Sequence, residues 1–327
     1  IFDDSKGIKP NNPFKPFEDG SILREVGKVA KNTTGTRVRY WSDPQIFIKD
    51  ANFSMADLTD RARQTAFLVP GLGINIDDQR SGKSEKQEFK FAGGIVEFAN
   101  YLAKDAALTS TWRLSGSGDF TETIPVLGED GNMVSREVAR NCEVDIAVRW
   151  GTGYDTEIKS FVNIIATPKG GSHIAGFEQA LLKTLRGHIE TNSRKLKVGN
   201  DKVEKEDILS GLTAVVTVRL AEPQFEGQTK EVLGTPAVKN IVSNVITKTL
   251  NERFNSSKRD DKAQSALLLE KIVAEMKSRV SARAHKETQR RKNALESSSL
   301  PTKLVDCRTQ DTMDSELFIV EGDSALG

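Results

Sequence analysis

Cys142-Glu143-Val144-Asp145-Ile146-Ala147-Val148-Arg149-Trp150 alternates, with Val144, Ile146 and Val148 on one face. A period of two over that length is a strand with one side in a core. Downstream, Phe161 to Ala166 is apolar enough to be a buried strand, and Leu212 to Leu220 reads as a further one. Between them, after Pro168-Lys169-Gly170-Gly171, Ser172 can cap a helix whose Ile174, Phe177, Leu181 and Leu185 share a face. Strands and helices mix here in no strict βαβ rhythm, which argues an α+β unit.

Moving toward the N-terminus, Phe89 and Phe91 alternate into Gly93-Gly94, and Ile95, Phe98, Ala99 and Leu102 follow at helical spacing. The polar run from Asp77 to Gln87 reads as a linker or exposed loop and marks a first boundary. Before it, Met55, Leu58, Ala62 and Ala66 predict a helix stopped by Pro70-Gly71, followed by a short strand, Ile74 to Ile76. Gly35 to Trp41 alternates and predicts another strand, ended by Asp43-Pro44. Toward the C-terminus, Pro236 starts a helix carrying Val238, Ile241, Val242, Val245 and Ile246, and a polar gap from Asn255 to Asp260 separates it from a second. There Ala266, Leu269, Val273, Met276, Val280 and Ala284 recur in steps of three and four, a strut of roughly 40 Å. Ser297-Ser298-Ser299 and Pro301 break it, and Leu317 to Val320 opens a new unit with a strand.

The chain has 327 residues, 37% hydrophobic and 28% charged, enough apolar material for two or three cored domains and too much for wholesale disorder. Its longest apolar runs, such as Leu212 to Val218, fall short of the roughly 18 residues of a membrane span, so a soluble protein without a membrane partner is expected. A net charge of +1 excludes a globally basic nucleic-acid coat, and any DNA contact must come from local clustering. Cys142 and Cys307 have neither a CxxC spacing nor a nearby histidine pair, so no disulfide framework or zinc site is indicated and a reducing, cytoplasmic setting fits. The start, Ile1-Phe2-Asp3-Asp4, has no signal-peptide character, and both ends look cut.

Several motifs invite chemistry. Gly82-Lys83-Ser84 is no phosphate loop, because Asp77 stands where the first glycine of that loop is required. Gly71-Leu72-Gly73 and Gly116-Ser117-Gly118 lack the third glycine of a dinucleotide loop and read as turns. His173, His188 and His285 have no ligand-spaced partners, and His173 beside a helix start reads as structural. Glu222 to Lys230 follows a strand and ends in Gln228-Thr229-Lys230, an amide, a hydroxyl and an ammonium that can donate to phosphate oxygens; a solvated loop is the plain alternative. In Ser315 to Ser324 a short apolar strand delivers Glu321 to its C-terminal end, where a carboxylate suits Mg²⁺ or proton transfer, or merely caps the next helix. Lys277, Arg279, Arg283, Lys286, Arg290, Arg291 and Lys292 crowd the end of the long helix, as a phosphate-binding surface or a solvated, dipole-favoured terminus.

Taken together, six ordered blocks resemble the ATPase-bearing B subunit of bacterial type II topoisomerases, of the DNA gyrase or topoisomerase IV kind. The blocks are Gly35 to Trp41, Gly93-Gly94-Ile95, Thr167 to His173, Pro223 to Lys230, Ser298 to Cys307, and Glu321-Gly322-Asp323-Ser324. The resemblance implies the C-terminal part of a GHKL ATPase domain over 1–80, a complete transducer domain with its long C-terminal helix over 81–299, and the start of an α/β TOPRIM domain over 300–327. It further implies ATP and Mg²⁺ as cofactors, with Lys230 and Gln228 touching the γ-phosphate, Thr36 on the floor of the adenine pocket, and Glu321 as the catalytic, metal-holding glutamate of DNA cleavage. The implied partners are double-stranded DNA, an A-type subunit carrying the nucleophilic tyrosine, and a second copy of the B-type subunit met on ATP binding. Arg283, Arg290 and Arg291 are the candidate DNA contacts.

The departures bound the function. The family's catalytic glutamate for ATP hydrolysis, its Asp-Gly-x-Gly motif and its glycine-rich lid belong before Ile1, and its Asp-x-Asp pair belongs after Gly327. These residues alone are therefore expected not to hydrolyse ATP. Leu326 replaces a glycine usual in gyrase-like sequences, which leaves supercoiling and decatenation both open. Rival readings are a non-catalytic DNA-binding or clamp module, and a TOPRIM nuclease or primase.

Overall fold

The computed structural model describes residues 27–39, 43, 45–47, 52–80, 82, 84–127, 133–297 and 316, with backbone alone at 126–127 and 292–297. It divides into two units, Ile1–Phe53 and Ser54–Gly327. The described residues of the first carry turns. Thr33 N–H donates to the Ala30 carbonyl at 2.8 Å, and Asp43 Oδ1 accepts from Gln45 N–H at 2.8 Å. The strand expected over Gly35 to Trp41 is a correction where it can be checked: residues 35–39 have no strand, and Val38 is 79% exposed. Alternation supplies a face, but a strand also requires a neighbour for its backbone groups, and no described strand lies in this unit.

In the second unit, helix α1 (Met55–Leu68) starts where Ser54 Oγ accepts from Asp57 N–H at 3.2 Å. Strands β1 (Ile74–Asp78) and β2 (Glu85–Phe89) then pair antiparallel from Ile74↔Phe89 to Asp78↔Glu85. The expected linker over Asp77 to Gln87 is therefore corrected to a hairpin. Its polar residues face solvent, while Phe89 packs with Ala62 and Ala66 of α1. Helix α2 (Gly94–Leu102) follows as expected.

The main sheet comprises β3 (Trp112–Leu127), β4 (Met133–Trp150), β5 (Glu157–Val162), β6 (Ile165–Ala166) and, after three helices, β7 (Leu212–Leu220). Those helices are α3 (Ser172–Thr191), α4 (Ser193–Leu196) and α5 (Lys205–Leu209). A small hairpin, β8 (Phe225–Glu226) and β9 (Val232–Leu233), leads to α6 (Ala237–Phe254) and α7 (Arg259–Ser297). The sheet order is β3-β4-β7-β5-β6, antiparallel except for the parallel β5–β7 pair. This is a mixed architecture of a sheet and helices, with no strict βαβ alternation, as the residue pattern predicts. Phe161 to Ala166 is two short strands rather than one, joined through Asn163 and Ile164, both at positive φ.

Two apolar layers sandwich the sheet. On one face Val144, Ile146, Val148 and Trp150 meet α3 and α6 through Phe177, Leu181, Val242 and Ile246. On the other, Ala147, Phe161 and Val215 meet Phe67, Ile95 and Phe98 from α1 and α2. Each large side chain so buried contributes about 1.5–3 kcal/mol. The strand β3 escapes a reading by punctuation because Gly116 and Gly118, read as turn residues, lie mid-strand, which corrects that reading. A Cβ on Gly116 would sit 3.0 Å from Val245 Cγ2, and one on Gly118 would sit 2.9 Å from Ile241 Cγ2. The glycines are there to let α6 lie close on the sheet. Ser172 is likewise the first helical residue of α3 rather than its cap, a position held by Gly171.

Helix α7 has 39 residues, about 58 Å of helix. Its first half buries Leu268, Leu269, Ile272, Val273 and Met276 against the unit, whereas every described side chain from Ser281 to Arg291 is exposed.

Candidate functional site

Between β8 and β9 the chain turns through Gly227, Gln228, Thr229 and Lys230, all exposed. Gly227 takes φ 82° and Lys230 φ 58°, and Lys230 N–H returns to the Gly227 carbonyl at 3.3 Å. A left-handed lysine is uncommon and mildly strained. The Lys230 ammonium lies 6.0 Å from the Phe225 ring centre. Among the described residues it makes no ion pair.

The turn is exposed at its tip and fixed at its base. Leu233 N–H donates to the Gly170 carbonyl at 3.1 Å, and Lys169 N–H to the Glu231 carbonyl at 3.3 Å. A bridge pairs Gly171 with Leu233. At Gly171 φ is 130°, and a Cβ would stand 2.4 Å from both Leu233 N and O, so the approach of the hairpin requires glycine there. Lys169 Nζ donates to Glu231 Oε2 at 2.7 Å, and Thr229 Oγ1 to the same oxygen at 3.1 Å. These donors, Lys169 foremost, hold the Glu231 carboxyl below its ordinary pKa. Upstream, Arg140 of β4 reaches Glu222 and Glu122, and the Gln224 amide also donates to Glu122. Two blocks far apart in sequence, Thr167 to His173 and Pro223 to Lys230, thus form one structure.

His173 is buried beneath this junction. Its Nε2 lies 3.2 Å from Thr167 Oγ1, Ser160 Oγ donates to the Thr167 carbonyl at 2.7 Å, and Nδ1 has no partner. Burial pushes its pKa down to about 4, so it stays neutral and structural.

The other candidates lie elsewhere in the chain. Thr36 belongs to the first unit and is exposed. Arg283, Arg290 and Arg291 line an open surface of α7 with Lys286 and Glu287, and Arg291 reaches Glu287 at 3.8 Å. Arg279, grouped with them from sequence, is instead committed to Asp207 at 2.8 Å and Glu204 at 3.1 Å, because its turn of α7 still packs on the unit. Glu321 lies outside the described residues. Among the described residues no group of three or more His, Cys, Asp or Glu could hold a metal, and no helix is long and apolar enough to cross a membrane. Nothing local in the sequence marks Lys169 and Glu231 as a pair, since 62 residues separate them.

The DNA gyrase B family profile matches residues 94–288, which contain the sheet, both Gly170-Gly171 and the Gln228–Lys230 turn, and most of α7. The chain belongs to the DNA gyrase B family. The DNA gyrase B protein of Treponema denticola is 37% identical over 318 residues, covering 96% of this chain and 46% of that protein. The one from Clostridium acetobutylicum is 37% identical over 312 residues, 95% of this chain and 45% of that one. The chain therefore spans less than half the length of the curated gyrase B proteins it matches here. Among solved structures, the 43K ATPase domain of Thermus thermophilus gyrase B, in complex with an aminocoumarin, is similar with a TM-score of 0.54 at 27% identity over 75% of this chain and 59% of that one. The topoisomerase IV ATP-binding domain of Francisella tularensis shares the fold, with a TM-score of 0.52 at 23% identity over 73% of this chain and 57% of that one.

Proposed function

We propose that this gyrase B chain is the coupling part of an ATP-dependent type II DNA topoisomerase, which senses the γ-phosphate of ATP through Lys230 and Gln228 and transmits that state along α7. In this reading residues 1–80 close a GHKL ATPase domain, 81–299 are the transducer, and 300–327 open a TOPRIM domain. Thr36 floors the adenine pocket, and Glu321 holds Mg²⁺ at the cleaved phosphodiester. An A-type subunit supplies the attacking tyrosine, a second copy of the B-type subunit joins on ATP binding, and the assembly passes cytoplasmic double-stranded DNA by supercoiling or decatenation.

One observation carries the reading: an ammonium without an ion pair among the described residues stands on an exposed turn whose base is fixed to the helix-bearing core through Gly170 and Gly171. The donor set suits a phosphate. Lys230 faces negative charge, Gln228 donates an amide N–H, and the rigid base converts contact at the tip into a force on the unit. In this reading α7, whose first half is buried and whose described second half is exposed, carries the coupling between distant sites. Glu321, the residue that would hold Mg²⁺ in this reading, lies outside the described residues.

The test uses the full-length subunit with its A-type partner. Lys230→Ala should lower ATP turnover about 10²–10³-fold, since it removes charge facing the transferred phosphoryl, while DNA cleavage survives. Glu321→Gln should do the reverse. Normal turnover in Lys230→Ala would remove the loop from the ATP site. The exposed Arg283, Lys286, Arg290 and Arg291 favour a second reading, a DNA-holding clamp, if DNA binds this end without any response to nucleotide.

A further inference from the structure

Carboxylates flank the Gln228–Lys230 turn, and a carboxylate beside a phosphate-binding lysine weakens it. Glu222 precedes the hairpin and Glu231 follows Lys230 directly, while Glu226 lies on β8. Glu222 and Glu231 are each met by a cation from another element: Arg140 from β4 reaches Glu222, and Lys169 from the turn before α3 reaches Glu231 at 2.7 Å. Thr229 Oγ1 adds a donor to Glu231 at 3.1 Å. Lys230 is left without an ion pair among the described residues.

The Lys169–Glu231 pair does little for stability, since Lys169 is 68% exposed and such pairs are screened by water. Its position gives it another effect. An unmasked Glu231 would leave a full negative charge on the residue next to Lys230, and exposed charges act over roughly 8 Å in physiological salt. That charge would repel an incoming polyphosphate and compete for Lys230.

We infer that Lys169 is a positioning residue for nucleotide binding: it masks the Glu231 carboxylate and so keeps Lys230 available to a terminal phosphate. The inference rests on the reading of Lys230 as a phosphate contact. A masked charge acts alike on bound substrate and on the transition state, so its loss should appear in KM and not in kcat.

The experiment is steady-state ATP turnover by the full-length subunit with its A-type partner and DNA. Lys169→Ala should raise KM for ATP about fivefold with kcat within about twofold of the parent and an unchanged melting temperature. Lys169→Arg should keep the parent KM. The double variant Lys169→Ala with Glu231→Gln should return KM to within about twofold, because the charge needing a mask is gone. An unchanged KM in Lys169→Ala, or a double variant no better than the single one, overturns the inference. Lys230→Ala separates the two layers. Full turnover in that variant defeats the phosphate reading itself, whereas its collapse beside a normal Lys169→Ala defeats only the masking role.

Discussion

Arg279 of α7 grips Asp207 of α5 through two parallel bonds, Nε to Oδ1 at 2.8 Å and Nη2 to Oδ2 at 2.9 Å. Asp207 is buried and also accepts from Glu204 N–H at 2.8 Å, while Arg279 Nη2 reaches the Lys202 carbonyl at 2.9 Å. The carboxylate holds the guanidinium above its ordinary pKa. Among the described residues this is the last polar tie of α7 to the rest of the unit before its exposed half. Arg279→Ala strands a buried carboxylate and should cost about 1–3 kcal/mol, read as a lower urea midpoint. Arg279→Lys should recover only part of it, since a single ammonium cannot make the bidentate contact. An unchanged midpoint would mean that apolar packing alone anchors the helix.

Gly118 has no room for a side chain under Ile241. Gly118→Ala should force α6 away from the sheet and cost about 1–3 kcal/mol in a denaturation curve, the usual range for overpacking. Ser117→Ala, on the opposite face of the same strand, serves as the control and should stay near the parent.

His173 makes stability pH-dependent. Its folded pKa of about 4 lies below the ordinary 6.5, so the unfolded chain binds the proton more readily in that window. The contribution is therefore complete above about pH 6.5 and is lost as pH falls toward 4. From pH 7.5 to 5 the loss should reach about 2 kcal/mol, and His173→Gln should flatten that part of the curve. A parallel decline in parent and variant would assign the effect to other groups.

If the exposed half of α7 meets DNA phosphates, duplex binding should weaken steeply with salt. Removing Arg283, Arg290 and Arg291 one by one should reduce the slope of log K against log salt by about one unit each. An unchanged slope makes this surface a solvated helix end.

Much of this was legible before the structure. The apolar run from Leu212 to Leu220 has seven of its first positions buried in succession, and such a strand announces itself by composition. The step of three and four through Leu269, Val273 and Met276 equally describes a helix lying on a core. The hairpin Ile74 to Phe89 was hidden because a two-stranded ribbon that leaves Asp77, Lys86 and Glu88 in solvent looks like a loop by polarity. In β3, Gly116 and Gly118 imitate a turn unless α6 is known to lie above them. At the site, Gln228 and Lys230 came from resemblance, whereas the Lys169–Glu231 pair is a product of tertiary approach and leaves no local pattern.

The central claim is that the turn from Gly227 to Lys230 meets the terminal phosphate of ATP. Hydrogen exchange of its backbone amides in the full-length subunit measures this directly, because the tip is exposed and should open easily when nothing is bound. A non-hydrolysable ATP analogue should slow exchange at Gln228, Thr229 and Lys230 about tenfold or more, and ADP should leave it fast. Equal protection by ADP, or none by the analogue under saturating conditions, would contradict the account.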